Sequence, residues 1–250
     1  MPDMKALVIA HDHVSPIGPI GERLEQHGYV LEIHNVVSEA NHHAPSVQPR
    51  FPKFADFDIV VTMGAPWSTY DEPTVGTWVP AEIEQLRRAD EAGVPVLGIC
   101  FGGQMLATAH GGSVALSPHP EIGWSQVESD AEHIVPSGPW FQWHFDRWTV
   151  PPGATEVARN EAASQAFVLR RNLAVQFHPE LTSAMLVGWL TLGGAQAARD
   201  AGHDTDAMLE EAREADPRSR SRAHALVDGF LAHVAGLTDG AGLDASATTA

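Results

Sequence analysis

The sequence is poor in cysteine, in positive charge and in long apolar runs. Its 250 residues include a single cysteine, so no disulfide can form within the chain, and a reducing compartment suits it. It has 15 basic and 32 acidic residues and a formal net charge of −17, which argues against nucleic acid and anionic membranes as partners. No apolar run approaches the roughly 18 residues of a membrane span, and the N-terminus lacks the pattern of a secretion signal. We therefore expect a cytoplasmic protein.

Short apolar runs alternate with helix-like segments over the first 110 residues, a pattern typical of βαβ units and a largely parallel sheet. Strands are predicted at 5–10, 29–35, 58–63 and 95–99, and helices at 19–27, 79–92 and 102–110, with a loop at 38–54. From 113 to 176, short strands between turn residues predict a small antiparallel layer beside that sheet. Further helices are predicted at 182–192, 205–215 and 222–235, the second of them ended by Asp216 and Pro217. We predict one α/β domain over 1–237 and a flexible tail over 238–250.

The only cysteine, Cys100, stands where a predicted strand meets a predicted helix. Gly98 and Gly102 flank it in the run Gly-Ile-Cys-Phe-Gly, which is the pattern of a nucleophile on a tight strand-to-helix turn. The N-terminus of the following helix would favour the thiolate over the thiol. The alternative interpretation is a small buried cysteine at the end of a strand.

A second polar residue follows a strand near residue 175. His178 stands at the end of the predicted strand in the run Leu-Ala-Val-Gln-Phe-His-Pro-Glu, and Pro179 interrupts the strand there. Glu180 is placed to accept a hydrogen bond from the imidazole and to fix its tautomer. Taken singly, His178 reads as a surface histidine and Glu180 as an acid at a helix N-terminus. Their occurrence together after a cysteine turn favours a Cys–His–Glu arrangement.

The motifs Gly-Ile-Cys-Phe-Gly-Gly-Gln and Val-Gln-Phe-His-Pro-Glu together resemble those of the class I, triad-type glutamine amidotransferase family. Within it, the chain is similar over about residues 5–235 to the free-standing branch that resembles the amidotransferase domain of GMP synthase. The resemblance implies a flavodoxin-like three-layer α/β sandwich with a mostly parallel central sheet, a small antiparallel layer and extra C-terminal helices. It also implies hydrolysis of the glutamine side-chain amide through a γ-glutamyl thioester. Cys100 would be the nucleophile, His178 the general base and acid, and Glu180 its orienting partner.

The turn Gly-Ala-Pro-Trp-Ser at 64–68 occupies the place of the family's Gly-Gly-Pro-x-Ser. The resemblance implies an oxyanion hole from a backbone N–H at Gly64 or Ala65 together with that of Phe101. Ala65 replaces a glycine, so the backbone of this turn has less freedom than in the usual motif. We expect the donor to remain usable because it belongs to the main chain.

The resemblance also assigns four substrate-binding residues. Gln104 matches the glutamine that contacts the amino-acid end of the substrate in this family. In the aromatic segment 140–148, Trp143 would wall the pocket, and His144 and Asp146 would contact the charged end of the substrate. Gly103 replaces a bulkier residue, from which we expect a more open pocket. The alternative for the aromatic segment is a core strand.

No metal or cofactor is expected. His11, His13, His42 and His43 lack clustered acids or thiols at a metal-binding spacing and are interpreted as loop histidines.

Several functional hypotheses remain open from the sequence. In the first, ammonia from glutamine passes to a synthetase on another chain, since nothing in this sequence resembles an acceptor-activating domain. In the second, the same triad acts as a γ-glutamyl peptidase or hydrolase on γ-glutamyl isopeptides or amides, which Gly103 favours. A non-catalytic regulatory module is disfavoured because all three triad residue types are present. A last hypothesis is the neighbouring superfamily of chaperone-like and peptidase-like proteins, which place histidine directly after the cysteine. Phe101 occupies that position here, which argues against this hypothesis.

Overall fold

The computed structural model describes residues 4–237, and the predicted tail at 238–250 lies outside them. The strands within this part form one hydrogen-bonded sheet of nine, in the order β2-β1-β3-β4-β9-β8-β7-β5-β6. In chain order they are β1 (Met4–Ala10), β2 (Tyr29–Asn35), β3 (Ile59–Thr62), β4 (Val96–Ile99), β5 (Val114–Ser129), β6 (Gly138–Trp148), β7 (Thr155–Arg159), β8 (Ser164–Leu169) and β9 (Asn172–Val175).

Seven helices connect or cover these strands within the described residues. They are α1 (Gly18–Gln26), α2 (Glu72–Val75), α3 (Val79–Glu91), α4 (Phe101–Ala109), α5 (Ser183–Trp189), α6 (Ala195–Asp200) and α7 (Thr205–Gly229). The predicted loop at 38–54 also holds a short 3-10 turn at Glu39–Asn41, and a second turn follows at Phe54–Asp56. No helix of residues 4–237 is both long enough and apolar enough to cross a membrane.

The parallel half of the sheet is buried on both faces. β2, β1, β3, β4 and β9 run parallel to one another. Because strand side chains alternate between faces, Val8 of β1 packs in the cluster that includes helices α1 and α7, whereas Leu7 packs with α3 and α4. These are the layers of the expected flavodoxin-like sandwich. The carboxyl ends of the parallel strands meet at one edge, where α/β proteins commonly bind ligands.

The antiparallel half continues the same sheet through β8, which pairs with β9. Its strands are longer than predicted, because β5 spans 16 residues and β6 spans 11 and the two pair along most of that length. β6 passes across the carboxyl edge of the parallel strands. There the carbonyl of Phe141 accepts a hydrogen bond of 2.8 Å from the backbone N–H of His178. This strand therefore borders the place where β4 and β9 end.

The prediction that Asp216 and Pro217 end a helix is wrong. α7 runs through Pro217, which removes one donor from the ladder, while the buried positions on either side continue one helical stripe that includes Ala212 and Ala223. The carboxylate of Asp216 accepts hydrogen bonds from the N–H and hydroxyl of Ser183, so it anchors the start of α5. Burial of the continuous stripe outweighs the local cost of the proline.

The predicted helix at 182–192 is interrupted near its end. α5 continues through a wide turn at Leu190–Gly194, where Gly193 has a φ of +106°, and the chain then enters α6. The left-handed backbone at Gly193 breaks the helix axis at a position that only glycine adopts without strain. The broken segment lies beside the candidate site.

Candidate active site

Cys100 occupies a strained turn between β4 and α4. Its φ of 48° and ψ of −106° lie outside the regions that a residue with a Cβ ordinarily occupies. The N–H of Cys100 donates to the carbonyl of Val175 at 2.7 Å, which ties the turn to the end of β9. A Cβ on Gly102 would lie 2.2 Å from the carbonyl oxygen of Thr62, so glycine is required by the close approach of α4 to β3. The thiol is presented at the N-terminus of α4, as a nucleophile turn would require.

His178 and Glu180 form a buried pair just beyond β9. Nδ1 of His178 lies 2.7 Å from Oε1 of Glu180, and the two side chains are 5% and 0% exposed. Burial by itself lowers the pKa of His178, but the negative charges of Glu180 and Cys100 outweigh it, and its pKa is raised well above the ordinary value. The imidazolium form is therefore stabilised next to the sulfur.

The imidazole and the thiol share one small space beside the 64–68 turn. A Cβ built on Gly64 would lie 3.0 Å from Cε1 of His178 and 3.8 Å from Cβ of Cys100. Nε2 of His178 makes no well-aligned hydrogen bond to any described residue. The imidazole is nevertheless close enough to Cys100 for the two side chains to interact electrostatically. Such a pair commonly tightens only when substrate binds. Ala65 is not among the residues with a positive φ, so its Cβ adds no backbone strain to this turn.

A buried ion pair supports the turn from behind. Nδ1 of His11 lies 3.2 Å from the carbonyl oxygen of Gly64, and Nε2 lies 3.0 Å from a carboxylate oxygen of Glu82. Thr62 donates its hydroxyl to the same carboxylate. Both ring nitrogens of His11 face acceptors, so the ring donates from both and is protonated. Burial lowers the pKa of His11, and the charge and hydrogen bond of Glu82 offset this, so the net pKa is raised. His11 lies in the loop after β1, as predicted, but its ring is completely buried rather than exposed.

A cavity of about 390 Å³ opens above Cys100. All the predicted site residues except Glu180 line it. The lining residues are Asp12, Val14, Ser15, His42, Gly64, Ala65, Pro66, Trp67, Ser68, Cys100, Phe101, Gln104, Trp143, His144, Phe145, Asp146, His178, Trp189, Leu192, Gly193, Gly194 and Ala197. Glu180 lies behind His178 and reaches the cavity only through the imidazole.

The four predicted substrate contacts differ in how free their polar groups are. The carboxylate of Asp146 accepts hydrogen bonds from the hydroxyls of Ser68 at 2.5 Å and Tyr70 at 2.6 Å, which aim it into the cavity wall. His144 uses both ring nitrogens within the protein, on the carbonyl of Asp146 and on the carboxylate of Glu121. His144 is therefore placed to hold Asp146, whereas the Asp146 carboxylate carries the negative charge at this end of the cavity.

Trp143 contributes both main chain and ring to the site. Its carbonyl oxygen lies 4.0 Å from Sγ of Cys100, and its indole packs edge-on against that of Trp189 with centroids 5.8 Å apart. Trp189 also packs edge-on against the His178 ring, with centroids 4.9 Å apart. Trp189 was not singled out from the sequence, since a tryptophan in an amphipathic helix is more often a core residue.

Gln176 is another site residue that sequence reasoning missed. Its Nε2 lies 3.6 Å from Sγ of Cys100, and its Oε1 accepts from Gln104 at 3.4 Å. The available signal was its place two residues before His178 at the end of a predicted strand, because alternate residues of a strand share one face.

The expected effect of Gly103 is wrong. Gly103 does not line the cavity, and a Cβ there would lie 3.0 Å from both the Trp148 ring and the Val175 carbonyl oxygen. The absence of a side chain lets α4 approach β9 closely, and it does not widen the pocket.

Within residues 4–237, no group of three or more His, Cys, Asp or Glu side chains is arranged to hold a metal ion. His42 packs edge-on against both His13 and His43, with ring centroids 5.2 Å apart in each pair.

Comparisons with known proteins identify the family of the chain. A family model described as "Glutamine amidotransferase class-I" matches residues 19–185. The GMP synthase (glutamine-hydrolyzing) of Thermomicrobium roseum is 36% identical over 138 residues, which cover 51% of this chain and 24% of that protein. The corresponding protein of Aeropyrum pernix is 31% identical over 169 residues, covering 62% of this chain and 31% of that protein. The chain thus spans about a quarter to a third of these relatives.

Solved structures show the same fold. A glutamine amidotransferase from Thermotoga maritima superposes with a TM-score of 0.78 at 22% identity, covering 92% of this chain and 99% of that one. A glutamine amidotransferase from Methylobacillus flagellatus gives the same TM-score at 24% identity, covering 92% and 95%. The family model covers well over half of the sequence. The chain therefore belongs to the class-I glutamine amidotransferase family.

Proposed function

We propose that the chain hydrolyses the side-chain amide of glutamine to glutamate and ammonia. The observation that carries the proposal is that Cys100 and His178 line one cavity while Glu180 contacts the imidazole from behind at 2.7 Å. The named relatives are glutamine-hydrolysing enzymes, which supports the same reaction.

The reaction follows from the placement of these groups. The Cys100 thiolate attacks Cδ of glutamine, and the oxyanion faces backbone N–H groups of the 64–65 turn and of Phe101. The imidazolium of His178 gives its proton to the amide nitrogen, which leaves as ammonia and leaves a γ-glutamyl thioester on Sγ. A water molecule then loses a proton to His178 and attacks the thioester, which releases glutamate and regenerates the thiolate. Glu180 orients the imidazole throughout.

The orientation of glutamine in the cavity is set by the charge of its α-ammonium group. The carboxylate of Asp146 is suited to the α-ammonium group of glutamine, and Gln104 lies next to it with its Nε2 3.5 Å from the Asp146 carbonyl oxygen. His178 gives its proton to the leaving nitrogen, so that nitrogen lies on the side of the cavity where Trp189 covers the imidazole.

The ammonia acceptor is proposed to belong to a separate synthetase chain. The relatives named GMP synthase are three to four times longer than the segment matched here, and one structural neighbour is described as a putative GMP synthase subunit. A γ-glutamyl hydrolase acting on substituted amides uses the same triad. Gly103 no longer supports this alternative function, because the residue lies outside the cavity.

The test is ammonia release from glutamine by the purified chain, with and without cell extract, compared with small γ-glutamyl amides as substrates. We expect glutamine to be hydrolysed, a thioester of Cys100 to be trapped by acid quenching and mass spectrometry, and Cys100→Ala to abolish both. Ammonia release that persists in Cys100→Ala would overturn the proposal. A higher kcat/KM for substituted amides than for glutamine would show that the chain is a γ-glutamyl hydrolase and not a glutaminase.

A further inference from the structure

We propose that Gln176 donates a hydrogen bond to Sγ of Cys100 and, together with His178, stabilises the thiolate during the reaction. The inference rests on the proposed function, since it assigns a second partner to the nucleophile of that reaction. It adds a residue outside the Cys–His–Glu set.

The local chain geometry brings Gln176 to the sulfur. β9 ends at Val175 and the chain bends at Gln176 and Phe177, which leaves the Gln176 amide against Sγ of Cys100 and the His178 imidazole beside the same turn. Phe177 turns the other way and stacks on Trp140 with centroids 4.4 Å apart. Gln176 and His178 therefore both face the Cys100 turn.

The contact itself has the geometry of an N–H···S hydrogen bond. Nε2 of Gln176 lies 3.6 Å from Sγ of Cys100. The Gln176 side chain is completely buried, between the apolar neighbours Val175 and Phe177. An amide at such a position costs free energy unless it is hydrogen-bonded, and an apolar side chain would fill the space without that cost. The amide is thus retained at a position where its N–H meets the reactive atom.

A second glutamine fixes which end of the amide faces the sulfur. Nε2 of Gln104 donates to Oε1 of Gln176 at 3.4 Å. Since an NH₂ group cannot donate to another NH₂ group, this bond directs the oxygen of Gln176 toward Gln104 and its N–H groups toward Cys100. The same Gln104 nitrogen lies 3.5 Å from the carbonyl oxygen of Asp146. The orientation is held from the substrate side of the cavity.

The hydrogen bond acts at two stages. Before attack, it stabilises the negative charge on sulfur, and hydrogen bonds to charged groups are stronger than those between neutral groups. In the thioester the sulfur is neutral and the bond weakens. When water attacks the thioester, sulfur departs with its bonding electrons, and the Gln176 N–H again stabilises the developing thiolate. His178 alone carries the proton in both steps.

The test uses iodoacetamide, a small neutral alkylator, because Cys100 is the only cysteine and every alkylation of a thiol, identified by mass spectrometry, reports on it. Gln176→Met keeps the length of the side chain and removes the donor, and Gln176→Glu replaces the donor by an acceptor. The matched control is Gln142→Met, which removes a glutamine on β6 that is also completely buried and donates to Gln165 at 3.0 Å without touching the sulfur.

We expect the pH profile of alkylation to move to higher pH by about one unit in Gln176→Met, which is a roughly tenfold loss of rate at pH values below the midpoint of the wild-type profile. The shift is larger in Gln176→Glu and absent in Gln142→Met. At alkaline pH, where all thiols are ionised, the rate of Gln176→Met returns to that of the wild type. The other titratable groups around the site are shared by all these variants: His11, Asp12, His42, Glu82, His144, Asp146, His178 and Glu180.

A Gln176→Met profile that coincides with that of Gln142→Met, or a rate lowered equally at every pH, would overturn the inference. If the variants fail to fold, the wild type decides by NMR: the side-chain NH₂ resonances of Gln176 must shift on carboxamidomethylation of Cys100 more than those of Gln142. Absence of that shift is equally decisive against it. Failure of the proposed function would show instead as a wild type that is alkylated normally but releases no ammonia.

Discussion

The imidazole of His178 and the carboxylate of Glu180 are in contact at 2.7 Å while both are almost completely removed from solvent. A carboxylate so placed keeps the imidazole charged despite burial, and the raised pKa of His178 follows from its charge together with that of Cys100. The pair makes the protonation state of the site depend on one residue that does not reach the cavity.

Replacing Glu180 by Gln should lower the pKa of His178, because the amide keeps a hydrogen bond but loses the charge. At neutral pH we expect ammonia release from glutamine to fall by about 10- to 100-fold, less than the 100- to 10,000-fold typical of losing a general acid–base in His178→Ala. The alkaline limit of activity should move to lower pH. Ammonia release measured across pH gives both the rate at neutral pH and the alkaline limit. An unchanged alkaline limit in Glu180→Gln would show that the Glu180 charge does not raise the pKa of His178.

The stability of the fold should decrease as the pH rises through the folded-state pKa of His178. That pKa is raised, so the stabilisation is fully present below the unfolded value of about 6.5 and is lost above the folded one. Urea unfolding of the wild type and His178→Gln at several pH values measures this. The variant should show a flatter dependence on the alkaline side, and parallel curves would be evidence against the charged pair.

Cys100→Gly should give a more stable protein than Cys100→Ala, although both lack the thiol. The backbone at this position, with a φ of 48°, strains any residue with a Cβ, and strain of this kind costs about 1–3 kcal/mol. Glycine relieves it, in part offset by its greater freedom in the unfolded chain. The free energy of urea unfolding distinguishes them, and equal stabilities would show that the turn is unstrained.

Asp146→Asn should raise KM for glutamine at least tenfold with a smaller effect on kcat, because the carboxylate is proposed to bind the α-ammonium group of the substrate rather than the reacting amide. Ser68 and Tyr70 donate to different oxygens of Asp146, so one of the two hydroxyls can still donate to the amide oxygen of Asn and the side chain should stay in place. Alkylation of Cys100 by iodoacetamide, which has no ammonium group, serves as the control and should be unaffected. A fall in kcat with constant KM would place Asp146 elsewhere in the mechanism.

Glu82→Ala should destabilise the fold by about 3–5 kcal/mol, because it leaves the buried His11 ring without its charged partner. Glu82→Gln retains a hydrogen-bond partner and should cost less. Urea unfolding gives the magnitudes, and the glutaminase rate of Glu82→Gln reports how well the Gly64 carbonyl is still held. Equal stability of wild type and Glu82→Ala would argue that the pair contributes nothing.

Much of the parallel half was predictable because its signals are local. β2 has the predicted bounds and α3 ends one residue from its predicted end, since apolar runs, prolines near helix starts and Gly93 mark these boundaries. Asp216 and Pro217 gave an equally local signal that was overruled by packing of α7 against α1 and α5. Local rules fail where burial of a long stripe exceeds the cost of one lost hydrogen bond.

The candidate site also has features that local sequence signals predict and features that they do not. The adjacency of Cys100 and His178 could be predicted, because two motifs each end a strand at the same edge of the sheet. The roles of His11, Trp189 and Gln176 depend on side-chain contacts across 71, 11 and 76 residues of chain. No spacing rule encodes such contacts, and a buried histidine or glutamine looks the same in sequence as a surface one.

β4 and β9 are neighbours in the sheet, with Gly98 opposite Ala174 and Ile99 opposite Val175. The strands that precede the nucleophile and the imidazole thus lie one strand spacing apart, about 4.8 Å, and main-chain hydrogen bonds rather than the chain that joins them hold them there. Insertions or deletions in loops of that intervening chain, such as the turn around Gly153, should leave the reacting pair in place. Evolution is free to remodel those connections without moving these two side chains.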